Sequence, residues 1–221
     1  MQKKIRIGTR KSMLALVQTN IVKEKILEAF PDLEVEIAEL STQGDEQLDR
    51  SLTSFGGKGV FTQELEDALL RGEIDLAVHS AKDMPMEFAE GLGIGAALTR
   101  GPVEDVVVTL DGTRLKDLKP GSVVGTGSLR RELQIRKVNP LIQVKMIRGN
   151  VQTRLRKLSE GRYDAIILAA AGLERLEMAS GGEYFFEHLD PSVCLPAAGQ
   201  AILAVESRDG DLNLKEILER I

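Results

Sequence analysis

Short apolar runs alternate along this chain with longer stretches in which apolar residues recur three or four positions apart. Ile5-Arg6-Ile7-Gly8 reads as a strand that ends in Thr9-Arg10-Lys11-Ser12. The spacing of Leu14, Val17, Ile21, Ile26 and Phe30 predicts a helix from Met13 to Phe30, stopped by Pro31. Leu33 to Leu40 alternates apolar and acidic residues, the pattern of a strand with one wet face. Further strands are expected at Ile74–His79, Leu92–Leu98, Val106–Val108, Val123–Gly125, Gln143–Ile147, Tyr163–Leu168 and Ala201–Glu206. Helices are expected at Thr62–Arg71, Leu129–Val138, Val151–Leu158, Leu173–Met178 and Leu212–Ile221, with a short helical turn at Leu115–Leu118. Regular alternation of strand and helix makes this an α/β protein with largely parallel sheets.

Two breaks divide the pattern. Arg100-Gly101-Pro102 ends the first set of strands, and Cys194 to Gln200 ends the second. The strand and helix after Gln200 return to the first sheet. The expected division is a discontinuous domain 1, residues 1–98 plus 197–221, and a domain 2, residues 99–196. Two crossings side by side would form a hinge with a cleft below it.

Composition narrows the class. The 221 residues are 43% hydrophobic and 29% charged, with a net charge of −5, which gives no global basic field for nucleic acid or an acidic membrane. Aromatic residues make up only 4%, too few to interleave with basic residues as a single-strand binder would. One cysteine, Cys194, forms no internal disulfide and no thiolate metal cluster, and two distant histidines argue against a histidine metal site. No run spans a bilayer and the N-terminus lacks the apolar core of a signal peptide, so the expected location is the cytoplasm.

The candidate chemistry lies at the predicted strand ends, where open α/β sheets place their ligands. These ends carry Arg10, Lys11 and Ser12; Lys82 and Asp83; Thr126, Ser128, Arg130 and Arg131; and Arg148, with Arg154 a turn into the next helix. Arginine forks match carboxylates and phosphates, so an anionic ligand with several carboxylates is expected. Arg130 and Arg131 open a helix, where the macrodipole disfavours cations, which argues against a purely structural role. Other readings stay open: Arg10-Lys11 as a solvated turn, Arg148-Gly149-Asn150 as a turn with a helix cap, Asp83 as an Asx turn before Met84-Pro85. Gly56-Gly57-Lys58-Gly59 lacks the spacing of a Walker loop and reads as a mobile loop or a flexible linker. His79 fits a hydrogen-bonded strand end better than a metal ligand, and Cys194 a small buried residue.

Six stretches together resemble the porphobilinogen deaminase (hydroxymethylbilane synthase) family, in family order: Ile7–Ser12, Gly56–Gly59, Val78–Pro85, Gly125–Arg131, Arg148–Arg154 and Leu195–Gln200. The resemblance implies a transferase of tetrapyrrole (heme) biosynthesis that joins four porphobilinogens head to tail, releases ammonia and yields hydroxymethylbilane. It implies two domains resembling periplasmic binding proteins, hinge-connected with a cleft between them, and a typically monomeric enzyme without nucleic-acid or membrane partners. It implies a dipyrromethane cofactor held by Lys82, Asp83, Thr126, Ser128, Arg130, Arg131 and Arg148. Arg10, Ser12, Arg148 and Arg154 would bind substrate and the growing polypyrrole. Asp83 would be the catalytic carboxylate, stabilising the cationic azafulvene left when ammonia departs, while Lys58 and Phe61 belong to the mobile loop. No metal is implied.

Three departures stand out. Gly127 replaces a usual hydroxyl residue, and Ala201 a usual glycine. The family's third α+β domain, whose cysteine carries the cofactor, has no counterpart before Ile221, and Cys194 precedes the Leu195–Gln200 motif instead. The expectation is therefore an impaired or inactive short form that self-associates through exposed apolar surface. The alternative is a non-catalytic two-domain binding module for a small polycarboxylate.

Overall fold

The computed structural model describes residues 4–41, 62–178 and 182–221. It divides into two compact units, Met1–Arg100 with Ile202–Ile221, and Gly101–Ala201.

The first unit holds strands β1 (Lys4–Arg10), β2 (Glu34–Leu40), β3 (Leu76–Ser80), β4 (Leu92–Ala97) and β10 (Leu203–Arg208) in the order β2-β1-β3-β10-β4. Helices α1 (Met13–Ala29) and α6 (Leu212–Arg220) cover one face and α2 (Gln63–Leu70) the other. Ile5, Ile7, Leu76, Val78 and Val205 meet Val22, Ile26, Leu214 and Ile217 on the first face. Ala77 and Ile74 meet Leu65, Ala68 and Leu69 on the second. A sheet buried on both sides explains why β3 opens on three consecutive apolar residues, Leu76-Ala77-Val78, whereas edge strand β2 alternates.

The second unit holds β5 (Asp105–Thr109), β6 (Val123–Gly125), β7 (Gln143–Lys145), β8 (Ala165–Ala169) and β9 (Phe185–Leu189) in the order β7-β6-β8-β5-β9. Helix α3 (Leu129–Val138) packs Ile135 on one face. Helices α4 (Val151–Ser159) and α5 (Ala170–Arg175) pack Leu155, Leu158 and Leu173 on the other.

Both sheets depart from the expected largely parallel form. In each, three strands run parallel and the remaining pairings, β3–β10–β4 and β8–β5–β9, are antiparallel. The expected strand after Gln200 does join the first sheet, but it enters against β3 rather than alongside it. Strand β9 is not anticipated by the sequence pattern, because Phe185-Phe186-Glu187-His188-Leu189 shows no alternation.

At the end of the second unit, Ala201 adopts φ 74°, a left-handed conformation that costs a residue with a Cβ about 1–2 kcal/mol. Its carbonyl accepts bonds from Gly101 N (3.2 Å) and Arg175 Nη2 (2.7 Å), which hold the strained backbone. Replacing this buried alanine by glycine relieves that strain while raising unfolded-state entropy, two effects of similar size. Ala201→Gly is expected to leave the denaturation midpoint within about 1 kcal/mol of the parent, and Ala201→Val to lose roughly 2 kcal/mol or more. A glycine variant that loses as much as the valine variant in chemical denaturation would contradict the strain.

Candidate functional site at the strand ends

In the first unit the parallel neighbours β1 and β3 bring Arg10–Ser12 and Lys82–Asp83 to one edge of the sheet. Arg10 closes β1 rather than opening a loop, and is half-buried. Ser12 is the N-cap of α1: its Oγ accepts from Ala15 N at 3.2 Å. That bond uses a lone pair, so the hydroxyl keeps its O–H as a donor. Strand β3 ends at Ser80, whose Oγ lies 3.1 Å from Gln18 Nε2 on α1. A single 3-10 turn, Ala81–Asp83, follows and leaves Lys82 and Asp83 exposed. Ala81 N donates to Ile202 O (3.0 Å) and Met84 N to Ala81 O (3.3 Å), and Pro85 bars further helix. Lys58 and Phe61, the expected mobile-loop residues, lie outside the described residues.

In the second unit the parallel strands β6 and β7 carry the remaining candidates at one edge. Thr126 Oγ1 accepts from Ser128 N (3.1 Å), and Ser128 Oγ caps α3 by accepting from Arg131 N (3.4 Å). Both hydroxyls again retain an O–H donor. Gly149 has φ 111°, and a Cβ there would stand 2.6 Å from Thr153, so only glycine fits between Arg148 and the Asn150 cap of α4. Arg154 Nε then reaches back to Gly149 O at 2.8 Å, and Lys157 Nζ to Arg148 O at 2.9 Å. A Cβ on Gly127 would meet Met146 Sδ at 3.1 Å, so its missing hydroxyl also makes room for that side chain.

Arg130 and Arg131 stand at a helix N-terminus, and an internal carboxylate pairs with both. Asp105 is 0% exposed at the start of β5. Its Oδ1 accepts from Arg131 Nη2 (2.6 Å) and Gln200 Nε2 (3.0 Å), and its Oδ2 pairs with Arg130 Nη2 (2.7 Å). Asp83 is therefore not the sole acid among the basic strand ends. Arg131 also donates to Ile167 O (3.2 Å) and is buried, while its Nε has no hydrogen-bond partner. Arg130 remains partly exposed and also donates to Leu195 O. Two guanidiniums against one carboxylate leave one positive charge in excess. Burial pushes the Asp105 carboxyl up, but bonds and charge from Arg131 and Arg130 outweigh it and hold the group below the ordinary carboxylate range. An acid opening the apolar run Asp105-Val106-Val107-Val108 was the available sequence signal.

Cys194 belongs to the same cluster. Its Sγ lies 3.5 Å from Asp105 Oδ2 and is fully buried. Burial first, and then the Asp105 charge, raise its thiol above the ordinary value, against a smaller opposing effect of Arg130. Gln134 pins the following residue with both ends of its amide: Oε1 accepts from Leu195 N (2.7 Å) and Nε2 donates to Leu195 O (3.2 Å). Among the described residues, no group of His, Cys, Asp and Glu side chains could hold a metal ion, and no helix is long and apolar enough to cross a membrane.

Asp105 has a lowered folded-state pKa, so its contribution to stability is complete above the unfolded value of about 3.9 and fades as pH falls through the folded one. Asp105→Asn is expected to cost about 3–5 kcal/mol at neutral pH, because it leaves buried arginine unpaired. Its gap from the parent should close below about pH 4; a gap that persists in acid denaturation would refute the pairing. Cys194 should resist an aromatic disulfide reagent in the folded protein and react fully in denaturant. Rapid labelling of folded protein would contradict its burial.

Residues 5–216 match the family model described as porphobilinogen deaminase, dipyromethane cofactor binding domain. The porphobilinogen deaminase of Halalkalibacterium halodurans is 48% identical over 219 residues, covering 99% of this chain and 70% of that protein. That of Bacillus mycoides gives the same figures. Among solved structures, the VFT2 domain of Bordetella pertussis BvgS aligns with a TM-score of 0.59 at 17% identity, over 99% of this chain and 86% of its own. Substrate-binding domain 2 of Lactococcus lactis GlnP aligns with a TM-score of 0.56 at 13% identity, over 99% and 86%. At such identities the likeness is one of fold, and it agrees with two mixed α/β units of the periplasmic-binding type. With nearly the whole chain matched, and close to half its residues identical to those enzymes, the chain belongs to the porphobilinogen deaminase family.

Proposed function

We propose that this chain provides the binding and catalytic surface for the head-to-tail condensation of four porphobilinogens to hydroxymethylbilane, with release of ammonia. The observation that carries this reading is the array at the carboxyl ends of parallel strands: Arg10 and Lys82 in one unit, Arg130, Arg148 and Arg154 in the other, with capping hydroxyls beside them. Porphobilinogen carries an acetate and a propionate, which suit arginine forks and O–H donors.

The residues fit a dipyrromethane with its own carboxylates. Arg131 Nε is a buried donor still lacking an acceptor, and Thr126 and Ser128 each accept one bond while keeping a proton to give. Lys82, Asp83, Thr126, Ser128, Arg130, Arg131 and Arg148 would hold it; when bound, it supplies the pyrrole carbon to which the first new ring is joined. Arg10, Ser12, Arg148 and Arg154 would hold the substrate carboxylates.

Asp83 then acts on the substrate. As the aminomethyl C–N bond breaks, the electron pair leaves on nitrogen, and positive charge spreads over the pyrrole. A carboxylate facing the pyrrole N–H stabilises that charge. The exposed 3-10 turn leaves Asp83 accessible to substrate, and adjacent Lys82 is suited to a cofactor carboxylate rather than to the developing cation.

The test is incubation with porphobilinogen while following ammonia. In any form of the protein that turns over porphobilinogen, Asp83→Asn should lower kcat by about 100-fold or more with unchanged stability. Near-parental turnover in that variant would refute the assignment. Tight binding of porphobilinogen by the parent with no ammonia released would favour a non-catalytic binding module instead.

A further inference from the structure

One buried pair takes no part in the chemistry above. Glu206 lies in the middle of β10 and is 0% exposed, and its Oε2 is 2.9 Å from Nε2 of buried His79 on β3. Its other oxygen, Oε1, is buried with no hydrogen-bond partner. Desolvating a carboxylate is costly, and an apolar residue of similar size generally serves cohesion as well or better. The surrounding strand residues are apolar: Ala77 is the register partner of Glu206, and Ala204 that of His79. The pair is thus diagonal across an antiparallel ladder, and a slip of β3 along β10 would break it.

Its place matters more than its energy. His79 is the penultimate residue of β3, and the turn bearing Lys82 and Asp83 follows at Ala81. Ala81 N also hangs from Ile202 O, just before β10 begins. On the same face, two residues beyond Glu206, Arg208 donates to Leu69 O and Ile74 O at 2.9 Å, so β10 is itself anchored to the segment leading into β3. We propose that Glu206 is a positioning residue: through His79 it fixes the end of β3 against β10 and thereby sets the Lys82–Asp83 turn. Its functional meaning rests on the reading that Asp83 acts on substrate.

The test is amide hydrogen exchange on the full chain. In Glu206→Leu, exchange at Ala81 and Met84 should rise about tenfold relative to the amides of β1, the loss expected for one buried hydrogen bond. Glu206→Gln keeps an acceptor for His79 and should stay close to the parent. Unchanged exchange at the turn in Glu206→Leu, equal acceleration throughout the sheet, or a glutamine variant as fast as the leucine variant would each overturn the proposal. Should Glu206→Leu fail to fold, the double variant His79→Phe with Glu206→Leu removes both polar groups. Fast exchange confined to the turn supports the proposal there, and parental protection overturns it. Asp83→Asn, measured alongside, should show parental exchange and lost ammonia release. Retained release would refute the role of Asp83 while leaving the exchange result standing.

Discussion

The second unit depends on one buried negative charge. Asp105 opens β5 at the sheet edge where the arginines gather, and Arg130, Arg131, Gln200 and Cys194 all converge on its two oxygens. Without it, two guanidiniums would lie at the positive end of a helix beside an apolar sheet, an arrangement penalised by both dipole and desolvation. With it, the arginines are held in place by the fold itself, and one positive charge is left in excess. Preorganisation of this kind lowers the ordering cost of binding.

The first unit solves a related problem by other means. The shape of its exposed turn, Ala81–Asp83, comes from the strands below: Ser80 to Gln18, Ala81 to Ile202, His79 to Glu206. In both units the hydroxyl residues near the site serve first as caps or turn acceptors. Ser12, Thr126 and Ser128 each satisfy a backbone N–H that a helix start or turn leaves unpaired, and each keeps an O–H to donate. The fold therefore depends on the side chains proposed to bind, which limits what can be substituted at these positions.

Much of this was legible in the chain itself. The helix at Met13 ends one residue short of the expected Phe30, and β6 covers the expected Val123–Gly125. The reason is local: Pro31 blocks a helix, Ser12 and Ser128 cap one, and buried parallel strands must be apolar on both faces. The cation-bearing strand ends were legible too, because arginine next to glycine and a capping residue has few other uses. What sequence could not supply was pairing between distant segments. Asp105 opens an apolar run and Glu206 closes one, and neither shows its partner in the sequence, since the partners lie 26 and 127 positions away.

The sequence by itself therefore determined the alternating α/β pattern and the residue types at the strand ends, since each follows from periodicity and backbone chemistry within a few positions. Only the tertiary structure decided strand direction and charge partnership. An antiparallel return such as β10 uses the same apolar residues as a parallel one. Whether an arginine meets a ligand or an internal carboxylate depends on which strand ends share an edge. Arg130 and Arg131 show the difference: composition marks them as anion-binding, and the fold shows that Asp105 is the anion they meet first.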